Sequence, residues 1–258
     1  MKKFLSLLAV VSIFAAVSVR AQTPGASPAD SSQLSSALAK IFGTNLNFSA
    51  TMNVEIKLSA QNQTISTPGK VYFSDGNSRS EIDVTKITGG GIPPSAIAQM
   101  KSLGMDSMIS IQQHAAKITY LIYPGLKAYA KIQTSAADSS TNNVKIDIAD
   151  LGAETVDGHP CDKKQYTIID ANNGLHTLVT AWLATDLKNI PIQSEQTIID
   201  ENGSTNLTTV HFTYISPTKP DASLFTLPTG YTAYTDVQTM MQTEVMKKMT
   251  GQFGAPPH

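Results

Sequence analysis

His159-Pro160-Cys161 is the one local arrangement in the chain that invites covalent chemistry, because a thiol beside an imidazole can be activated as a nucleophile. Cys161 is the only cysteine, which excludes an internal disulfide framework and any thiolate-rich metal or iron–sulfur centre. On a strand, Pro160 leaves residues 159 and 161 on one face without fixing a hydrogen bond between them. No Asn or Asp stands out as an orienter for the imidazole. The stretch therefore reads as a turn followed by a thiol packed in a sheet, and no catalytic residue is assigned. A disulfide between two copies through Cys161 is the remaining thiol chemistry in an oxidising compartment.

The other histidines, His114, His176, His211 and His258, show none of the spacings that mark metal sites, and no metal or cofactor is expected. His176 and His211 fall on predicted strands where two imidazoles can meet across a sheet. There is no G-x-S-x-G motif, no P-loop and no dinucleotide fingerprint, and Gly89-Gly90-Gly91 lacks the strand-to-helix context of a phosphate loop. Asp75, Asp157 and Asp200 sit in turn sequences, where a carboxylate accepts backbone N–H groups. An enzyme is not the expected reading.

Charge narrows the partners. Arg20 and Arg79 are the only arginines, and 19 basic against 20 acidic residues leave no basic field for nucleic acid. Lys2 and Lys3, the apolar run Phe4–Val19 and the site Val19-Arg20-Ala21 form a secretory signal peptide over residues 1–21. The run falls short of the roughly 20 residues a membrane span needs. The residue directly after the cleavage point is Gln22 and not a cysteine, so no lipid is expected on the mature end. A periplasmic or secreted protein is expected, with membrane contact at most peripheral.

Few residues do chemistry, so the elements carry the argument. Residues 22–30 read as a flexible lead-in and are followed by a short helix from Ser31 or Ser32 to Gly43. From Leu46 to Leu58 the pattern turns to period two, with Phe48, Ala50, Met52, Val54, Ile56 and Leu58 on one side and polar residues on the other. A strand this long with one dry face belongs to a large antiparallel sheet. Further strands flank Asp75-Gly76-Asn77, Pro124-Gly125, Asp157-Gly158 (with Glu154 to Val156 as the strand before it), Asn172-Asn173-Gly174 and Asp200-Glu201-Asn202-Gly203. A helical insert over 93–108 carries Met100 and Leu103, with Pro94 in its first turn. A C-terminal helix from about Thr235 to Thr250 carries Val237, Met240, Met241, Val245 and Met249 as one stripe, with Thr235 and Gln238 as a capping box.

The stretches Leu151–Cys161, Trp182 with Asp186-Leu187 and Ile190-Pro191-Ile192, and Pro220–Tyr231, in that order, resemble an exported bacterial group of unknown function with the LolA/LolB-like fold of periplasmic lipoprotein carriers. The resemblance spans roughly residues 31–235; the Met-rich helix and tail of 236–258 lie beyond it. It implies a mainly β, α+β fold: an open antiparallel half-barrel of about 9–11 strands whose concave apolar face is covered by helices. It also implies that this face holds acyl chains, and that an arginine on an early strand contacts the lid. Arg79 is the candidate equivalent, with a surface pair to Glu81 or Asp83 as the alternative.

The expected function is noncovalent binding of a hydrophobic or amphipathic ligand, a lipid or an acylated protein. The residues expected to line the dry face and its cover are Phe48, Met52, Val54, Ile56, Met100, Leu103, Tyr120, Ile122, Trp182, Phe212, Met241 and Val245. A cell-envelope interaction protein with a filled core, and a hydrolase with a site assembled from distant residues, are the competing classes.

Overall fold

The computed structural model describes residues 46–58, 62–113, 115–133, 144–170, 176–199 and 205–252. The leader, the lead-in, the helix expected before Gly43 and the turns at 172–174 and 200–203 lie outside these residues.

Alternating side chains and tight turns build one mainly β sheet. Its thirteen strands are β1 (Phe48–Leu58), β2 (Gln63–Ser74), β3 (Asn77–Asp83), β4 (Thr88–Gly89), β5 (Ser107–Gln113), β6 (Ile118–Tyr123), β7 (Ala128–Gln133), β8 (Val144–Val156), β9 (His159–Asp170), β10 (His176–Ala184), β11 (Ile190–Ile199), β12 (Thr205–Ser216) and β13 (Thr232–Tyr234). The count exceeds the expected range because β4 and β13 are only two and three residues long. The strand order is β13-β7-β6-β5-β3-β2-β1-β12-β11-β10-β9-β8, with β4 on β2, and the two ends do not pair. Every pairing is antiparallel except β13 with β7. The chain meanders from β1 out to β7, restarts at the far edge with β8 and meanders back until β12 pairs β1.

The turn residues act as their chemistry dictates. Asp75 and Gly76, and again Asp157 and Gly158, take positive φ in two-residue hairpins, the geometry that matches strand twist. β8 begins ten residues before the strand expected at Glu154. Its alternation through Ile146 and Ile148 is broken by a bulge near Gly152, where the register slips between Asp150 and Ala153.

Among the described residues two α-helices flank the sheet. α1 (Pro94–Ser102) starts with proline at its first position, where the missing N–H is no loss. It ends at Gly104, whose backbone lies so close to Gly125 in the β6–β7 turn that a Cβ on Gly104 would stand 2.7 Å from the Gly125 oxygen. α2 (Val237–Gln252) is capped by Asp236, which accepts from the Thr239 amide at 2.7 Å and from the Thr239 hydroxyl at 2.9 Å. The capping box expected at Thr235 is thus replaced by its neighbour, a stronger acceptor for helix amides.

Strand register separates the two faces, because directly opposed residues point the same way. On the inner face, Phe48, Met52, Val54, Val71, Leu121 and Phe212 form the main core with Met240 of α2. Met240 has no exposed surface, and burying a side chain of that size contributes about 2 kcal/mol. The outer face of β5 and β6 is apolar as well. It is sealed by the segment after β12, where Leu224, Phe225, Leu227 and Tyr231 pack on Ile109, Ile111, Tyr120, Ile122 and Tyr129. The sheet is therefore covered on both faces from β3 to β7.

Candidate functional site

The inner face is the candidate site, and the structure divides the expected lining residues among several places. Phe48, Met52, Val54, Ile56, Phe212 and Met241 come together in the main core. Gly69 makes room there: a side-chain carbon at that position would meet the Met52 methyl at 2.9 Å and the Glu81 carbonyl at 2.7 Å. Met100 packs in a satellite cluster with Ile65, Val84 and Ile87, so α1 covers the end of β2. Leu103 and Val245 are half-buried at the end of α1 and on α2.

Tyr120, Ile122 and Trp182 are not on this face. Leu121 and Tyr123 are the inward residues of β6, and Tyr120 and Ile122 point outward beneath Phe225. The run Ile118–Tyr123 is apolar on both faces because both are covered, so alternation gave no parity signal. Trp182 packs outward with Cys161, Ala184 and Ile192, while Val179 and Ala181 face inward with Tyr166 and Ile168.

Arg79 also points outward. It stands opposite Tyr72 and Ile111 in register, donates from Nη1 to the Leu224 carbonyl at 2.8 Å, and pairs through Nε with Glu81 at 2.7 Å. The expected partner was a lid on the inner face. Arg79 instead pins the segment that seals the outer face, and it keeps the surface-pair alternative with Glu81.

The inner face has two regions. Under α2, Tyr123 is so thoroughly desolvated that its phenol is pushed up to about 12. α2 is held there by Glu244, which accepts from the Tyr234 hydroxyl and, at 2.8 Å, from Lys247. These bonds hold the Glu244 carboxyl below its ordinary range. Towards β8, Tyr166, Ile168, Val179 and Ala181 form a separate inward cluster whose partly buried neighbours are Ile146 and Leu183 of the sheet itself. Sequence patterning missed this second region, although Ile146 and Ile148 alternate and Val179 and Ala181 follow the same period.

The His-Pro-Cys stretch gains the orienter that the sequence did not reveal. His159 Nδ1 lies 2.7 Å from Asp186, and His211 Nε2 lies 2.6 Å from Asp157, so two imidazole–carboxylate pairs clamp the β8–β9 turn. His211 therefore meets Asp157, and the His176 side chain lies outside the described residues. The thiol is not activated. Cys161 is buried, donates to the His159 carbonyl, and has its pKa raised, first by desolvation and then by nearby carboxylates. It floors an open depression of 270 Å³ lined by Glu154, Thr155, Pro160, Asp162 and Thr185. Glu154 accepts there from Trp182 Nε1 at 2.9 Å and from Lys163 at 3.0 Å, and Lys163 lies 4.7 Å from the Trp182 ring centre. Among the described residues no group of three or more His, Cys, Asp or Glu is placed to hold a metal ion. No described helix is long and apolar enough to cross a membrane.

No protein-family model matches the chain, and no curated protein matches it. Solved structures similar to it include the lipoprotein LppX of Mycobacterium tuberculosis, 14% identical, covering 73% of this chain and 95% of that one with a TM-score of 0.36. An outer membrane lipoprotein-sorting protein domain from Vibrio parahaemolyticus is 12% identical over 76% and 97%, with a TM-score of 0.33. A LolA superfamily protein from Nitrosomonas europaea is 11% identical over 76% and 96%, with a TM-score of 0.35. No residue is carried over from any of them.

Proposed function

We propose that this is an exported protein that binds a hydrophobic or amphipathic ligand, a lipid or an acylated protein, on the inner face of its open sheet. The observation that carries this reading is the second inward cluster. Tyr166, Ile168, Val179 and Ala181 form a buried apolar cluster apart from the core that α2 closes. Ile148 stands beside Tyr166 in register and is exposed, and exposed apolar surface of an open sheet is where a long apolar ligand gains most by desolvation. Export is supported by the pattern of residues 1–21. The methionines of α1 and α2 suit a cover that re-packs around chains of different length.

Native mass spectrometry of the protein purified from its own cell envelope tests the reading. Co-purifying lipid is the expected result, with its loss on Val179→Asp in a variant whose near-ultraviolet circular dichroism is unchanged. A protein that carries no lipid and ignores pyrene-labelled acyl probes is instead an interaction protein with a filled core, a class that the closed packing around Met240 favours for the α2 half.

A further inference from the structure

The inner face is not purely apolar. Among the described residues two buried side-chain atoms have no hydrogen-bond partner, Gln196 Nε2 and Thr67 Oγ1, and both belong to this face. Register places Gln196 in one lateral row, Ile56–Thr208–Gln196–Val179–Tyr166, that runs from β1 to β9. Thr67, only 2% exposed, heads the adjacent row Thr67–Val54–Val210–Ser194–Ala181. An unpaired buried amide is costly, and native proteins rarely keep one without a use.

We infer that Gln196 is the polar anchor of the ligand site and donates its side-chain N–H to the carbonyl oxygen of an uncharged acyl ester. This deepens, and rests on, the ligand-binding reading above. The chemistry follows from the donor and from the charges around it. Nε2 can only donate, so the ligand must present an acceptor. The cation that register brings to these two rows is Lys164, and it stands opposite Asp150. The charges cancel, so nothing in either row favours a carboxylate or a phosphate over a neutral carbonyl. The apolar neighbours Val179 and Tyr166 receive the chain beside that carbonyl.

Two probes that share a fluorophore test the assignment: the methyl ester of pyrenyldodecanoic acid, and dodecylpyrene, which lacks the ester. The protein binds the ester at least fivefold more tightly than the alkane, the size expected for one net hydrogen bond recovered in a dry site. Gln196→Leu abolishes that preference, leaves alkane affinity within twofold, and raises the melting temperature of the ligand-free protein, because an orphaned donor has been removed. Gln196→Glu, which cannot donate when ionised, loses the preference as well. An ester preference that survives in Gln196→Leu, or one that is absent from the unaltered protein, overturns the anchor while leaving apolar binding intact. Failure of both probes to bind the unaltered protein overturns the ligand-binding reading itself, and the anchor with it.

Discussion

At the scale of single residues, the groups most suggestive of chemistry are used to hold the fold. The Cys161 thiol is 1% exposed, hydrogen-bonded to a carbonyl and kept protonated by burial and by neighbouring carboxylates. The native protein should therefore react with a thiol reagent such as dithionitrobenzoate at least a hundredfold more slowly than the unfolded chain, and run as a monomer on non-reducing gels. Fast labelling of the native form would show that the β8–β9 hairpin opens. Arg79 has a comparable structural duty. Its guanidinium bonds Leu224 and Glu81 at once, and bonds from a charged donor contribute more than neutral ones. Arg79→Met should cost about 2 kcal/mol in chemical denaturation and expose the outer segment around Leu224 to proteolysis. Arg79→Lys should recover less than half of that loss, because an ammonium lacks the planar fork that serves two acceptors in fixed directions. Equal stability of all three proteins would remove the pin from the account.

At the scale of elements, α2 is the cover whose attachment depends on pH. Glu244 is buried and takes hydrogen bonds from Lys247 and Tyr234, which hold its folded-state pKa below the ordinary carboxylate value. A depressed folded-state pKa contributes stability above the unfolded value, and that contribution is lost as pH falls through the folded one. The unaltered protein should thus be more stable than Glu244→Gln at neutral pH by about 1–2 kcal/mol, and the two melting curves should converge below about pH 4. A gap that stays constant down to pH 3 would show that the carboxylate charge contributes nothing. The other cover is fixed by backbone contact. Gly104 and Gly125 approach so closely that either Cβ would meet the partner's backbone, so Gly125→Ala should lower stability by about 1–3 kcal/mol through forced displacement. Limited proteolysis should then cut near α1 first. Neither contact was legible in the sequence, since Asp236, Glu244 and Gly104 act through partners that only the folded chain brings near.

At the scale of the whole molecule, legibility followed the coverage of each face. β1 was readable because its outer side is wet and its inner side dry, and alternation then fixes both the element and its face. β6 was readable as a strand but not as to its face, because Phe225 and Leu224 cover the side that alternation would have marked polar. β8 was shortened at sequence level by the bulge near Gly152, and Trp182 was turned to the wrong side because its own packing shell, around Cys161 and Ile192, is also apolar. The same asymmetry of coverage divides the molecule in its dynamics. From β3 to β7 the sheet lies between the α2 core and the outer segment pinned by Arg79. From β8 to β12 the outer face bears Gln165, Thr180, Gln193, Glu195 and His211, and the edge strand β8 leaves Ile148 64% exposed. Amide exchange depends on local opening, which is easiest where buried apolar contacts are fewest. In the ligand-free protein, amides of β8–β11 should therefore exchange at least tenfold faster than those of β3, β5 and β6. A ligand that binds only the folded state stabilises it by about 2.7 kcal/mol at a hundred times its dissociation constant, which for a domain of this size raises the melting temperature by roughly 5–10 °C. Saturation with the pyrenyl methyl ester should produce that shift and slow exchange in β9–β11, with little change under the outer segment at Leu224 and Phe225. Protection spread evenly over both halves would place the ligand in the α2 core, and an unchanged melting temperature would leave the sheet without a ligand at all.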